Sequence, residues 1–270
     1  MVKLRVAAGC ALLLGLGGTT RLAQGDGCDS IPNNHPFKNP GGKAATFSTQ
    51  GHVDLTGEYF QAQGTNGRSC ATCHIAEDAW SINPPTLQRL FDRTGGLHPV
   101  FNTLDANNPA LDVTTVEGRR AAYSMMLTRG VFRRGGALRT EREWDLVSVY
   151  DPHGLANLTR LVHWRRVMPT INFAQGSATV NWDGGNTVGA DQLAGLINQA
   201  GRNVTGAQQG RPAPPEVIED IVAFERALST AQLIVPGAGR LDAGGARGGP
   251  EELSQMTPAA GRFDLFDAWM

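Results

Sequence analysis

Two thiols and an imidazole lie within five consecutive residues, in the run Cys70-Ala71-Thr72-Cys73-His74. A short helical turn places residues three apart on one face, so Cys70 and Cys73 can both reach vinyl groups on one side of a porphyrin. The imidazole that follows can then lie beneath the iron as its proximal axial ligand. The spacing is typical of c-type haem attachment and predicts one covalent haem c, bound by Cys70 and Cys73 and ligated by His74.

Two other kinds of site also use a pair of cysteines at this spacing. A zinc site would need two more ligands at similar spacing, but the remaining cysteines, Cys10 and Cys28, lie far upstream. A redox dithiol would need a β-α-β context, whereas Gly, Asn and Ser surround this motif. The spacing and the flanking sequence favour haem over both alternatives.

The sixth ligand of the iron determines the redox potential of the iron and whether small molecules can reach it. Histidine, methionine or water could fill this position. Most histidines lie in surface loops and most methionines fill cores, so the sequence alone assigns none of the candidates. The candidates are His98, His153, His163, Met125, Met126 and Met168.

The N-terminus has the pattern of a secretory signal peptide over residues 1–25, with cleavage expected before Asp26. Basic residues precede an apolar run from Val6 to Gly18, which is shorter than the roughly 20 residues of a spanning helix. We therefore expect export to the bacterial periplasm and no stable membrane span after cleavage. Export agrees with haem attachment, which takes place outside the cytoplasm. Cys28 would then be an odd thiol that is free, capped or intermolecular.

The composition excludes polyanion binding as the main function, because the net charge is −1 and the isoelectric point is about 6.6. We expect no nucleic-acid partner. After the signal peptide, residues 26–63 are predicted to form an extended N-terminal arm and residues 64–235 a haem domain. Residues 236–270 are predicted to be a Gly-rich linker and a C-terminal segment.

The clearest regular segments are helical. Apolar spacing predicts helices at 86–94 and 116–132, a third helix capped by Asp191, and a fourth opened by Pro214 and Pro215. An apolar stripe along the fourth is interpreted as core packing: Val217, Ile218, Ile221, Val222, Phe224 and Leu228. These patterns predict an all-α, cytochrome c-like fold with long irregular loops.

Several segments together resemble the bacterial di-haem cytochrome c peroxidase superfamily. They are the run from Gly67 to His74, then Trp80-Ser81-Ile82, Pro169-Thr170-Ile171-Asn172, Trp182-Asp183-Gly184, and Phe224-Glu225 with Thr230-Ala231-Gln232. The resemblance implies an all-α periplasmic oxidoreductase in which the N-terminal haem meets hydrogen peroxide and a second haem delivers electrons. Trp182 matches a tryptophan that lies between the two haems and would act as an electron relay. The alternative for Trp182 is an ordinary buried core aromatic.

The chain departs from that family in three ways. It contains one Cys-x-x-Cys-His motif, so the motif of a second haem domain is missing, although the segment from Arg262 to Met270 resembles a helix leading towards one. Gly185 stands where the family has arginine. No glutamate after Trp182 matches the acid/base residue that cleavage of the peroxide O–O bond requires.

The sequence therefore predicts an exported c-type cytochrome that carries one haem and exchanges electrons with a redox partner protein. One alternative is a cytochrome c peroxidase-like enzyme that reduces hydrogen peroxide, including a truncated di-haem form. Another is a non-catalytic haem-binding sensor or structural module.

Overall fold

A computed structural model describes residues 29–138, 140–175 and 179–256 of the chain. The predicted signal peptide, Cys10, Cys28 and the segment from Arg262 to Met270 lie outside the described residues. Cleavage and export therefore stay predictions. Within the described residues, no helix has the length and apolar character needed to cross a membrane.

Six α-helices occur in the part of the chain that the structure describes, and each predicted helix is among them. The segment 116–132 is divided by Tyr123 into two short helices, and the second ends at Gly130 in the left-handed conformation. The side chain of Asn83 caps the helix that begins at Pro84, and the side chain of Asp191 caps the helix that begins at Gln192. The helices are α1 (Pro84–Thr94), α2 (Val116–Ala122), α3 (Ser124–Arg129), α4 (Gln192–Thr205), α5 (Pro215–Ala227) and α6 (Gly249–Gln255).

The predicted all-α fold is wrong, because the described residues also contain eight strands in three antiparallel sheets. The fold is therefore mixed, with helices and sheets along the same chain. The strands are β1 (Ser30–Pro32), β2 (Pro36–Asn39), β3 (Gly42–Ser48), β4 (His52–Asp54), β5 (Val131–Ala137), β6 (Arg160–Arg166), β7 (Leu228–Val235) and β8 (Gly239–Arg240).

The largest sheet joins the two ends of the described chain in the order β2-β3-β7-β8. Its central pair, β3 and β7, brings together residues such as Thr46 and Thr230, whose hydroxyls are 2.7 Å apart. The segment predicted as an arm thus contributes β1 to β4, and α6 packs on β3 and β7. A pairing this distant in sequence leaves no local periodicity, which is why helical spacing alone gave the wrong fold class.

Two hydrophobic clusters form the core. The first cluster surrounds Tyr59 and Trp80 and includes buried residues of α4 and α5 such as Leu196, Ile221 and Phe224. The second cluster surrounds Phe91 of α1 and includes Met126 of α3 and Phe132 of β5. Cys70 packs against the first cluster and Cys73 against the second, so the thiol-bearing turn lies where the two clusters meet.

A buried ion pair fixes the chain just before this turn. Arg68 is 3% exposed, and its guanidinium lies 2.6 Å from the Asp105 carboxylate. It also donates to the carbonyls of Pro99 and Val100, at 2.8 and 2.7 Å. Arg134 of β5 contacts the same carboxylate. The pair therefore ties the turn to the segment that carries the second cluster.

Replacing Arg68 with methionine should lower the free energy of unfolding by about 3–5 kcal/mol, because it leaves the Asp105 carboxylate buried without its main partner. Urea unfolding followed by circular dichroism measures this change. Arg120→Met is the matched control, since the Arg120–Asp92 pair is more than half exposed on both sides and should contribute less than about 1 kcal/mol. Equal losses in the two variants would contradict the structural role of Arg68.

Candidate functional site

The thiol-bearing segment adopts the helical turn that haem attachment requires. Cys70–Thr72 form a 3₁₀ turn, and the His74 backbone N–H donates to the Cys70 carbonyl at 3.1 Å. Ser69 and Thr72 close a capping box, in which the Ser69 N–H donates to the Thr72 hydroxyl at 2.9 Å. Cys70, Cys73 and His74 consequently line one cavity, and both cysteines are free thiols.

The imidazole of His74 is held by the main chain. Its Nδ1 lies 2.9 Å from the Trp80 carbonyl oxygen, which can only accept a hydrogen bond, so Nδ1 is the donor. Burial lowers the pKa of His74 to about 4, against the opposing effect of hydrogen bonds with the main chain of Trp80 and Met168. The ring is therefore neutral at pH 7, and with its proton on Nδ1 the Nε2 atom would be the one able to ligate an iron.

The position of the Trp80 carbonyl depends on an unusual turn. Ala79 and Trp80 both have left-handed backbone conformations, with φ of 54° and 61°. Such conformations cost about 1–3 kcal/mol each for residues other than glycine and are common at functional sites. The Trp80 indole enters the first cluster and donates from Nε1 to Thr46 of β3 at 3.0 Å. The large sheet thus supports the carbonyl that orients His74.

The cavity has a volume of about 960 Å³, near the upper end of the range for small-molecule and cofactor sites. Its walls come from β5 and β6, the segment 167–173, α4 and α5. Arg165, Arg166 and Arg202 are among its lining residues and offer donors for carboxylates such as haem propionates. The two thiols, the oriented imidazole and the basic lining fit a covalently bound haem.

The chemical state of the thiols also agrees with haem attachment. Burial raises the pKa of Cys70 and of Cys73, so both are protonated at neutral pH. Zinc ligation and dithiol exchange both use the thiolate, which this environment disfavours. Across residues 29–138, 140–175 and 179–256, no three His, Cys, Asp or Glu side chains cluster as metal ligands.

Trp182 lies at the surface, and the alternative that it is a buried core residue is wrong. Its side chain is 66% exposed and also lines the cavity. The indole Nε1 donates to the Arg166 carbonyl at 3.4 Å, and the adjacent Asp183 pairs with Arg165 at 3.0 Å. These contacts join the Trp182 turn to the end of β6, at the opening of the cavity.

The structure separates the six candidates for the sixth ligand into two groups. His163 and Met168 line the cavity that contains His74. The other four lie elsewhere. His98 is buried beside Val100, Met126 belongs to the second cluster, and Met125 and His153 line a smaller cavity.

One cavity residue, Glu225 of α5, was not predicted as a functional residue from the sequence. It is 2% exposed, and burial raises the pKa of its carboxyl to about 8. Its Oε2 has no hydrogen-bond partner in the described part of the chain, and neither has Oε1 of Gln199 on the facing helix. A signal was present, since Glu225 lies four residues after Ile221 and seven after Ile218, on the apolar face of its helix.

No protein-family model, curated protein or solved structure matches this chain. The relation to di-haem peroxidases therefore stays a resemblance of motifs.

The Glu225 carboxyl should make the protein less stable as the pH rises. The unfolded chain loses this proton near pH 4.5 and the folded chain near pH 8, so the folded state binds more protons between these values and stability falls. The loss reaches at most about 5 kcal/mol above pH 8. Denaturant unfolding at several pH values measures it.

Glu225→Gln should remove this part of the pH dependence, whereas Glu219→Gln, an exposed position on the same helix, should keep it. A pH profile that is the same for Glu225→Gln and the unmodified protein would contradict the assignment.

Proposed function

We propose that this protein is an exported c-type cytochrome that carries one covalent haem and transfers electrons. The observation that supports this most directly is that Cys70, Cys73 and His74 open onto one cavity, with His74 oriented by the Trp80 carbonyl. When bound, a haem supplies one-electron redox chemistry. The polypeptide supplies attachment, an axial ligand and a defined environment.

Each group of cavity residues has a distinct task in this proposal. The thiols of Cys70 and Cys73 would hold the haem through its two vinyl groups, and His74 would ligate the iron. Arg166 and Arg202 would be the residues that bind the propionates. Trp182, which is exposed and also lines the cavity, would be the residue through which electrons pass between the haem and a redox partner protein.

The attachment can be tested by single substitutions in cells that export and mature c-type cytochromes. Cys70→Ser and Cys73→Ser should each leave one vinyl group intact, which shifts the α band of the reduced pyridine complex and lowers haem retention under denaturing conditions. Absorption spectra of the denatured protein in pyridine measure this shift.

Cys28→Ser is the matched control, because Cys28 lies outside the attachment motif, and it should give the unmodified spectrum. If the thiols of Cys70 and Cys73 bind zinc instead, neither substitution will affect an absorption band, and the purified protein will contain no iron porphyrin.

Peroxide reduction is the second candidate function, and Glu225 is the observation that favours it. Cleavage of the peroxide O–O bond needs a group that transfers a proton inside the cavity, and Glu225 is a buried carboxyl on the cavity wall. Stopped-flow mixing of the reduced protein with hydrogen peroxide distinguishes the two functions. Turnover with an electron donor that falls at least about tenfold in Glu225→Gln would support a peroxidase. Absence of turnover leaves electron transfer as the activity.

A further inference from the structure

Glu225 combines features that a structural carboxyl seldom has. It is nine-tenths or more buried, it lines the cavity that carries the attachment motif, and Oε2 has no hydrogen-bond partner among the described residues. Buried carboxyls in proteins are normally paired or hydrogen-bonded, because an unpaired charge away from water is costly. Without a bound haem this carboxyl is therefore mostly protonated at pH 7, and it lines the cavity without a partner for Oε2.

The carboxyl lies close to the attachment turn. Burial raises the pKa of the Cys70 thiol and of the Tyr59 hydroxyl, and a negative charge on Glu225 raises both further. The Cys70 sulfur would be joined to the edge of the porphyrin, so the charge of Glu225 and the charge of the iron site act on one another through a largely apolar wall.

The other titratable groups around α5 are poorly placed to replace Glu225. The 3₁₀ turn at Glu58–Phe60 brings Tyr59, which is fully buried with its pKa raised well above 10, and Glu58, whose side chain bonds to Gln63. The facing helix α4 brings Arg202, which is exposed and donates to Gly185 and Asn186. The turn at Phe173–Gln175 carries no titratable residue.

We propose that Glu225 takes up a proton when the haem site gains an electron and releases it when the site is oxidised. The inference rests on the proposed function, since it requires a haem bound through Cys70 and Cys73. The electron comes from the redox partner protein and converts ferric to ferrous iron. The proton comes from water and forms the O–H bond of the carboxyl. The net charge of the cavity is therefore unchanged when one electron and one proton are gained together.

The coupling acts in a defined pH range. The oxidised site has one more positive charge, which favours the carboxylate, and the reduced site favours the neutral acid. Burial raises the pKa of Glu225 to about 8, and the pKa is therefore lower in the oxidised than in the reduced protein. Between these two values each electron gained is accompanied by proton uptake.

The midpoint potential of the purified haem protein, measured by spectroelectrochemistry from about pH 5 to about pH 10, tests the inference. Within the coupled range the potential should fall with rising pH, by up to about 59 mV for each tenfold change in proton concentration. Glu225→Gln should lose this slope, while Glu225→Asp, which keeps a titratable carboxyl, should retain a slope. Glu219→Gln should behave as the unmodified protein.

Equal slopes in Glu225→Gln and the unmodified protein would overturn the inference, as would a potential independent of pH in the unmodified protein. A second measurement needs no variant: reduction in weakly buffered solution near pH 8 with a pH indicator should show uptake of a substantial fraction of a proton per electron, and no uptake would also overturn it. If the protein carries no covalent haem, the proposed function itself fails. If haem is present without coupling, only this inference fails.

Discussion

The hydrogen bond from His74 Nδ1 to the Trp80 carbonyl is the interaction on which the rest of the site depends. It exists because Ala79 and Trp80 turn the chain through two left-handed residues. Two contacts with other parts of the chain stabilise the turn. The Trp80 indole donates to Thr46 of β3, and the Thr170 N–H donates to the same Trp80 carbonyl at 3.3 Å. The large sheet, which joins both ends of the described chain, thus helps to determine that Nδ1 is the nitrogen that carries the proton.

The cavity places groups of opposite character close together. Its rim carries arginines and the exposed Trp182, whereas its inner wall carries the buried Glu225 and an apolar cluster. Burying a carboxyl without a partner destabilises the fold at high pH, and stable proteins seldom keep such a group without a use for it. Under the proposed function, Glu225 would serve as a proton acceptor beside an electron-transfer site, because the proton offsets the charge that the electron brings.

Features that depend on residues close together in the sequence could be predicted, and features that depend on contacts between distant residues could not. Cys70, Cys73 and His74 lie within one turn, so their spacing alone predicts that they act together. The helices were also found from local spacing and from start signals such as Asp191 and the pair Pro214 and Pro215. The fold class was wrong because β3 pairs with β7, which is distant in sequence, and β3 itself has little apolar alternation.

The exposure of Trp182 and the burial of Glu225 were missed for the same reason. The exposure of Trp182 depends on how its turn attaches to β6, and the burial of Glu225 depends on how α5 packs against the attachment turn. Neither contact is between sequence neighbours. Glu225 was nevertheless visible as a charged residue within an apolar stripe, which is the signal that a sequence analysis of such helices should look for.

We propose above all that a haem is bound covalently to the turn that carries Cys70, Cys73 and His74. The most direct measurement is mass spectrometry of a tryptic digest of the exported protein, because cleavage after Arg68 and Arg89 releases one peptide that contains Cys70, Cys73 and His74. We predict that this peptide carries the added mass of one iron porphyrin through two thioether bonds. Recovery of the peptide with two unmodified thiols from protein matured in a cytochrome c-producing host would contradict it.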